Sequence, residues 1–180
     1  MINIVLCGKS NDASISEALL PVLARYGGVQ YFNGKQLAKL GDGEPDYFVY
    51  ECEQIPKIEI DRGVLLFKNS FQISEGSTVP ENIFCIFETQ NKNAAAVLKN
   101  THTTAITCGT SQKDTISIAG LEETGAVLSL QRNIKKLDGE ILEPHDFTVQ
   151  LSAKIGPHRI LAVSAVLMII GVDSSVGYKI

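Results

Sequence analysis

The residues best able to do chemistry begin where the first apolar run ends. There Gly8-Lys9-Ser10-Asn11-Asp12-Ala13-Ser14 follows Ile2 to Cys7. A glycine, a lysine and a hydroxyl residue after a strand are the ingredients of a phosphate cradle. They supply free amides, a neutralising ammonium and an oxygen for a metal. The spacing is wrong for a Walker loop, because the place for its first glycine falls at Asn3, inside the strand. A polar turn between strand and helix is the simpler reading. A helix N-terminus still attracts anions weakly, so Gly8, Lys9, Ser10 and Asn11 are the candidate phosphate- or anion-binding residues.

A second group of candidates lies at the ends of later elements. Glu51 and Glu53 close an apolar strand, Gly109 closes another, and His158-Arg159 opens a helix. Open α/β sheets hold ligands outside the carboxyl ends of their strands, so Gly8, Glu51 and Gly109 are expected to converge at one edge. Glu51, Gly109, His158 and Arg159 are the candidate ligand-binding residues. His102 and His145 lie in polar segments without partners at triad or metal spacing, and Glu143-Pro144-His145-Asp146 reads as a turn. No G-x-G-x-x-G, G-x-S-x-G or H-E-x-x-H occurs. We therefore assign no catalytic residue, no metal site and no cofactor.

The elements that would position these residues follow from the pattern. Ile2 to Cys7 is a buried strand. Ser14-Ile-Ser-Glu17 has capping-box spacing ahead of a helix carrying Leu19, Leu20, Val22, Leu23 and Tyr26, with Pro21 inside it and Gly27-Gly28 as its stop. Strands are expected at 29–32, 47–52, 64–67, 83–87 and 104–108. Their near-continuous apolar character suits a parallel sheet covered on both faces. A helix is expected at 93–98, and loops at 42–45 and 72–80. From about Asp114 the residues alternate apolar and polar, and Asp138-Gly139 signals a hairpin, so antiparallel strands with one wet face are expected. Gly156-Pro157 starts a helix that is apolar on nearly all sides and ends at Gly171. It must be buried in the domain or sit against a partner.

Composition fits this reading. The chain has 180 residues, 44% apolar and 20% charged, with net charge −4, which suits one compact domain (1–180, with a parallel part to 110 and an antiparallel part after it). No basic stripe is present to displace phosphate counterions, so nucleic acid is not an expected partner. The longest apolar run, Ile160 to Val172, is too short to cross a bilayer, so no membrane association is expected. Cys7, Cys52, Cys85 and Cys108 form no C-x-x-C pair and read as free thiols in apolar strands. With no export signal at the N-terminus, a cytoplasmic location is expected.

The arrangement at both ends resembles the ATP-binding central domain of the Mur ligase superfamily, which joins amino acids to peptidoglycan precursors. Lys154-Ile-Gly-Pro-His158-Arg-Ile-Leu-Ala162-Val-Ser-Ala165, running on to Ile170-Gly171, matches that domain's closing strand, glycine, histidine and Ala/Leu-rich helix. Ala105-Ile-Thr-Cys-Gly109 is like the family's glycine-ended strand. Phe84 to Ala94, with Asn91 near a helix start, resembles the segment of its N-x-D-D type motif. The resemblance implies an α/β fold of P-loop or Rossmann-like type, a mostly parallel three-layer sheet with an antiparallel C-terminal part and a closing apolar helix. It also implies that Glu51 stands where the family binds metal and that His158 matches the family histidine, while the asparagine after it has become Arg159.

The phosphate loop departs from the family pattern. With Gly8 on the first family glycine, Asn11 replaces the second, Asp12 replaces the lysine and Ala13 replaces the first hydroxyl. An aspartate there repels a triphosphate. The family's carbamylated lysine has no counterpart, and the chain stops at Ile180 without the flanking domains of a complete ligase. The expectation is a degenerate, non-catalytic relative that binds or interacts, with a second copy or a cell-wall ligase-related protein as partner and a weak anion or nucleotide as ligand. The alternatives are a ligase component completed by another chain, and a small-anion or nucleotide sensor.

Overall fold

The computed structural model describes residues 1–180. The chain runs β1 (Ile2–Cys7), α1 (Ser14–Leu23), β2 (Gly28–Phe32), β3 (Leu37–Leu40), β4 (Pro45–Cys52), β5 (Gly63–Phe67), β6 (Ile83–Glu88), α2 (Lys92–Leu98) and β7 (Thr104–Gly109). It continues through β8 (Ile116–Leu121), β9 (Gly125–Leu130), β10 (Ile134–Lys135), β11 (Ile141–Leu142), β12 (His145–Gln150), α3 (Pro157–Ile169) and β13 (Tyr178–Lys179). Eleven strands form one sheet in the order β13-β12-β9-β8-β7-β6-β5-β1-β4-β2-β3, and β10-β11 is a separate hairpin. Strands β2, β4, β1, β5, β6, β7 and β8 pair in parallel. The β8–β9–β12 region is antiparallel. The α/β class and the change of pattern near residue 114 are as the sequence led us to expect.

Parallel polarity brings the carboxyl ends of β1, β2, β4, β5, β6 and β7 to one edge. The sheet separates two apolar clusters. The larger joins α1 and α3 to one face through Ile15, Leu19, Leu23 and most of α3; the smaller joins α2 and irregular segments to the other through Cys7, Leu65, Phe67, Phe71, Ala94 and Leu98. Ile55, Ile58, Ile60 and Val79 pack against the smaller cluster from loops, so this second outer layer is only partly helical.

Helix α3 begins at Pro157, whose missing N–H would have been unpaired in any case. Every residue from Ile160 to Ile169 is buried. The helix ends in a reversal at Gly171, whose φ of +90° a side chain would strain. There Val172 N–H donates to Leu167 O at 2.9 Å. Of the two settings considered for this helix, the domain interior is the one realised. Buried between sheet and α1, α3 offers no surface for a second copy.

One local expectation is corrected, and two strands are added. The capping box does not form. Ala13 is the N-cap residue, Glu17 is exposed, and Ser14 gives both its amide (3.2 Å) and its hydroxyl (2.6 Å) to Asp12 Oδ1. A carboxylate is a stronger acceptor than the hydroxyl that was to act as cap. Strand β3 was not anticipated. Asn33 Oδ1 gathers the amides of Lys35 (3.1 Å) and Gln36 (2.8 Å) into a turn that folds β3 back on β2. Strand β13, two residues long beside β12, carries no pattern that could announce it.

Ser164, in the middle of α3, has a fully buried Oγ with no hydrogen-bond partner. A buried unpaired hydroxyl costs stability, so Ser164→Ala should stabilise the protein by about 1 kcal/mol. The check is a higher urea midpoint with an unchanged slope.

Candidate functional site

The carboxyl edge is built around Lys68, the first residue after β5. Chain direction and the apolar run Gly63–Phe67 carry its side chain beneath the loop that follows β1. Lys68 is completely buried. Its Nζ donates to Glu51 Oε2 at 2.9 Å and to the backbone carbonyl of Asp12 at 2.6 Å. Glu51, 6% exposed at the end of β4, takes a further hydrogen bond from Tyr31 Oη at 2.9 Å. The buried ammonium thus joins β5, β4 and the loop before α1. Gly8 has to be glycine here, because a Cβ would sit 2.7 Å from Lys68 Cβ and 2.8 Å from Ser70 Oγ.

Four amides of the loop are already engaged. Gly8 N–H donates to Cys52 O (2.9 Å), Lys9 N–H to Ser70 Oγ (3.1 Å), Ser10 N–H to Glu53 Oε1 (3.0 Å) and Asp12 N–H to Lys9 O (3.0 Å). The Asp12 carboxylate lies at the start of α1, where it accepts from Ser14 and, through Oδ2, from Ser70 Oγ at 2.6 Å. Burial by itself would raise the Asp12 pKa. The hydrogen bonds from Ser14 and Ser70, with the Lys68 charge nearby, outweigh it and hold the carboxyl below its ordinary range. Hydrogen bonding by Ser10 likewise lowers the pKa of exposed Glu53. The place where a helix N-terminus would greet an anion is filled by an anion of the chain itself.

The remaining candidates separate into two groups. His158 stands at the start of α3 with Nδ1 3.1 Å from Glu88 Oε2, and Asn69 Nδ2 donates to the same oxygen. Burial lowers the His158 pKa, and the Glu88 charge only partly offsets it. Gly109, at the end of β7, backs onto Asp114, which binds Thr89 Oγ1 and the Ser111 amide (3.0 Å). Arg159 follows His158, half-buried in the first turn of α3. Gly8 to Asn11 and Glu51 form one cluster, with His158–Glu88 further along the edge and Gly109 beyond it. His102 lies at the opposite, amino edge, beside the start of β7. No group of three or more His, Cys, Asp or Glu is placed to hold a metal ion.

Sequence reasoning missed Lys68, Ser70, Tyr31 and Glu88. The one available signal was a lysine directly after the fully apolar run Val64 to Phe67, where continued burial would force it to find a carboxylate.

Comparison with solved structures places this fold in a known setting. A murein peptide ligase Mpl from Psychrobacter arcticus 273-4 superposes with a TM-score of 0.59 at 13% identity, covering 97% of this chain and 45% of that one. An MPL ligase from Neisseria meningitides gives 0.63 at 13% identity, covering 97% and 63%. MurF from Thermotoga maritima, solved with ADP, gives 0.57 at 15% identity, covering 97% and 47%. This is the fold of the Mur ligases. The chain spans about half the length of the Psychrobacter and Thermotoga proteins (45% and 47%). No protein-family model and no curated protein matches the sequence. No helix of this Mur-ligase-like chain is long and apolar enough to cross a membrane.

Two outcomes follow from the charged cluster. Lys68→Met should destabilise the protein by about 3–5 kcal/mol because Glu51 is left buried without its partner. Adding Glu51→Leu should recover part of that loss, and urea unfolding of both variants measures the difference. Asp12, with its pKa lowered on folding, contributes stability above its unfolded pKa of about 3.9 and loses it as the pH falls through the folded value. The stability gap between wild type and Asp12→Asn should therefore be open at neutral pH and close in acid.

Proposed function

We propose that this chain is a non-catalytic Mur-ligase-like domain that binds or interacts, with its nucleotide site closed by its own charged side chains. One observation carries the reading: Lys68 Nζ lies 2.9 Å from Glu51 Oε2 while the Asp12 carboxylate occupies the start of α1. By the family resemblance, Glu51 stands at the metal-binding position and Asp12 at the lysine position. The chain's cation is therefore where a metal would sit, and its anion is where a phosphate would sit. These residues do not fit a magnesium nucleotide, and we derive no step through one. A triphosphate would meet the Asp12 charge and amides already engaged with Ser70 and Glu53. The same engagement disfavours the small-anion sensor.

The similar structures, a murein peptide ligase among them, support a place near cell-wall precursor metabolism. With α3 interior, a protein partner or a second copy would meet an edge of the sheet. The outer strand β3 is one such edge, and its Leu37 is 62% exposed.

Calorimetry with ATP and magnesium tests this. The expected result is no binding heat at millimolar nucleotide, whereas micromolar affinity would restore the ligase reading. Asp12→Gly, which frees the Ser14 amide and hydroxyl, should gain a phosphate-dependent rise in melting temperature that the wild type lacks.

A further inference from the structure

Cys7 and Cys52 face each other at the last rung of the β1–β4 ladder. Neighbouring strands lie roughly 4.8 Å apart, inside the Cα window of about 4.4–6.8 Å that a disulfide spans. In-register residues of parallel strands point to the same face, and both cysteines pack in or against the smaller apolar cluster. Each thiol reaches towards the other's strand. Cys7 Sγ contacts Glu53 O at 3.8 Å, and Cys52 Sγ contacts Leu6 O at 3.8 Å. The Gly8 amide, bonded to Cys52 O at 2.9 Å, pins the two backbones at this rung. No other thiol competes. Strand β5 separates Cys7 from Cys85, and Cys108 belongs to the cluster on the opposite face.

The two thiols differ in access. Cys7 is fully buried, whereas Cys52 is half-buried and lines a cavity of about 480 Å³ with Ser10, Tyr50 and Glu53. The neighbouring Cys52 sulfur, with burial, pushes the Cys7 thiol far above the ordinary range. Cys52 is therefore the sulfur that meets a reagent first.

We propose that Cys7 and Cys52 are a redox modification site, a dithiol that a low-molecular-weight disulfide such as oxidised glutathione closes to a reversible intrachain disulfide. The Cys52 thiolate attacks one sulfur of the reagent and expels one glutathione thiolate, leaving a mixed disulfide on Cys52. Cys7 then gives up its proton and attacks the Cys52 sulfur, expelling the second glutathione. Two protein thiols are oxidised by two electrons, one glutathione disulfide is reduced to two glutathiones, and the two protons go to those leaving thiolates. The bond would tie the root of the Gly8–Asp12 loop to the strand carrying Glu51, so the oxidation state would set how freely that charged edge opens.

The test incubates the folded chain with excess oxidised glutathione, quenches by alkylation and maps the peptides without reduction. The expected result is a fall from four free thiols to two, a loss of about two mass units, and a single Cys7–Cys52 cross-link that dithiothreitol reverses. Cys52→Ser, at a half-exposed position, should keep the wild-type melting profile and its three remaining thiols. The proposal is overturned if all four thiols stay free in the folded protein. It is equally overturned if oxidation stops at a stable glutathione adduct, if Cys85 or Cys108 enters the cross-link, or if the bond appears only in denaturant.

Discussion

A lysine ammonium with no exposure to water is the constraint on which the carboxyl edge depends. Its desolvation costs several kcal/mol unless a carboxylate and further acceptors surround it, and this fixes what its neighbours must be. Glu51 has to end β4 facing inwards, Asp12 has to turn its carbonyl towards Nζ, and Gly8 has to lack a side chain so that the Lys68 stem can pass. The consequences reach further. Asn91 caps α2 through the Ala94 amide and also binds Lys68 O, so the backbone of the same lysine positions the helix on the other face. Strands β1, β4 and β5 and helix α2 thus share one buried residue that no apolar pattern requires.

This constraint separates fold from chemistry. Identities of 13–16% accompany superposition over nearly the whole chain on several Mur ligases, because apolar residues in the right periods are enough to rebuild the layers. The charged positions at the strand ends are a much smaller set and can change without disturbing the core. Without a cation among them, Asp12, Glu51 and Glu53 would form an uncompensated negative cluster. A buried lysine from the neighbouring strand supplies the missing charge from another direction. The two features make physical sense together and would each be costly alone.

The legible parts of the sequence were those whose signal is local or periodic. The parallel strands, α2 and α3 announce themselves by apolar runs, Pro157 and Gly171, and the β10–β11 hairpin by Asp138-Gly139. The convergence of Gly8 and Glu51 also followed, since parallel polarity alone brings strand ends together. What could not be read depends on contacts distant in sequence. Lys68 and Glu51 are seventeen residues apart and Lys68 and Asp12 fifty-six, and nothing in either neighbourhood marks them as partners. The capping box failed for a related reason: Ser14 had the right spacing to Glu17, but Asp12 offered a better acceptor two residues away.

A site that satisfies its own charges also changes where function can reside. In an open nucleotide site, unpaired amides and carboxylates wait for a ligand and weaken the free protein until it binds. Here Ser70, Glu53, Asp12 and Lys68 engage one another and several loop amides of the carboxyl edge, so a ligand binding there would have to break existing bonds before making new ones.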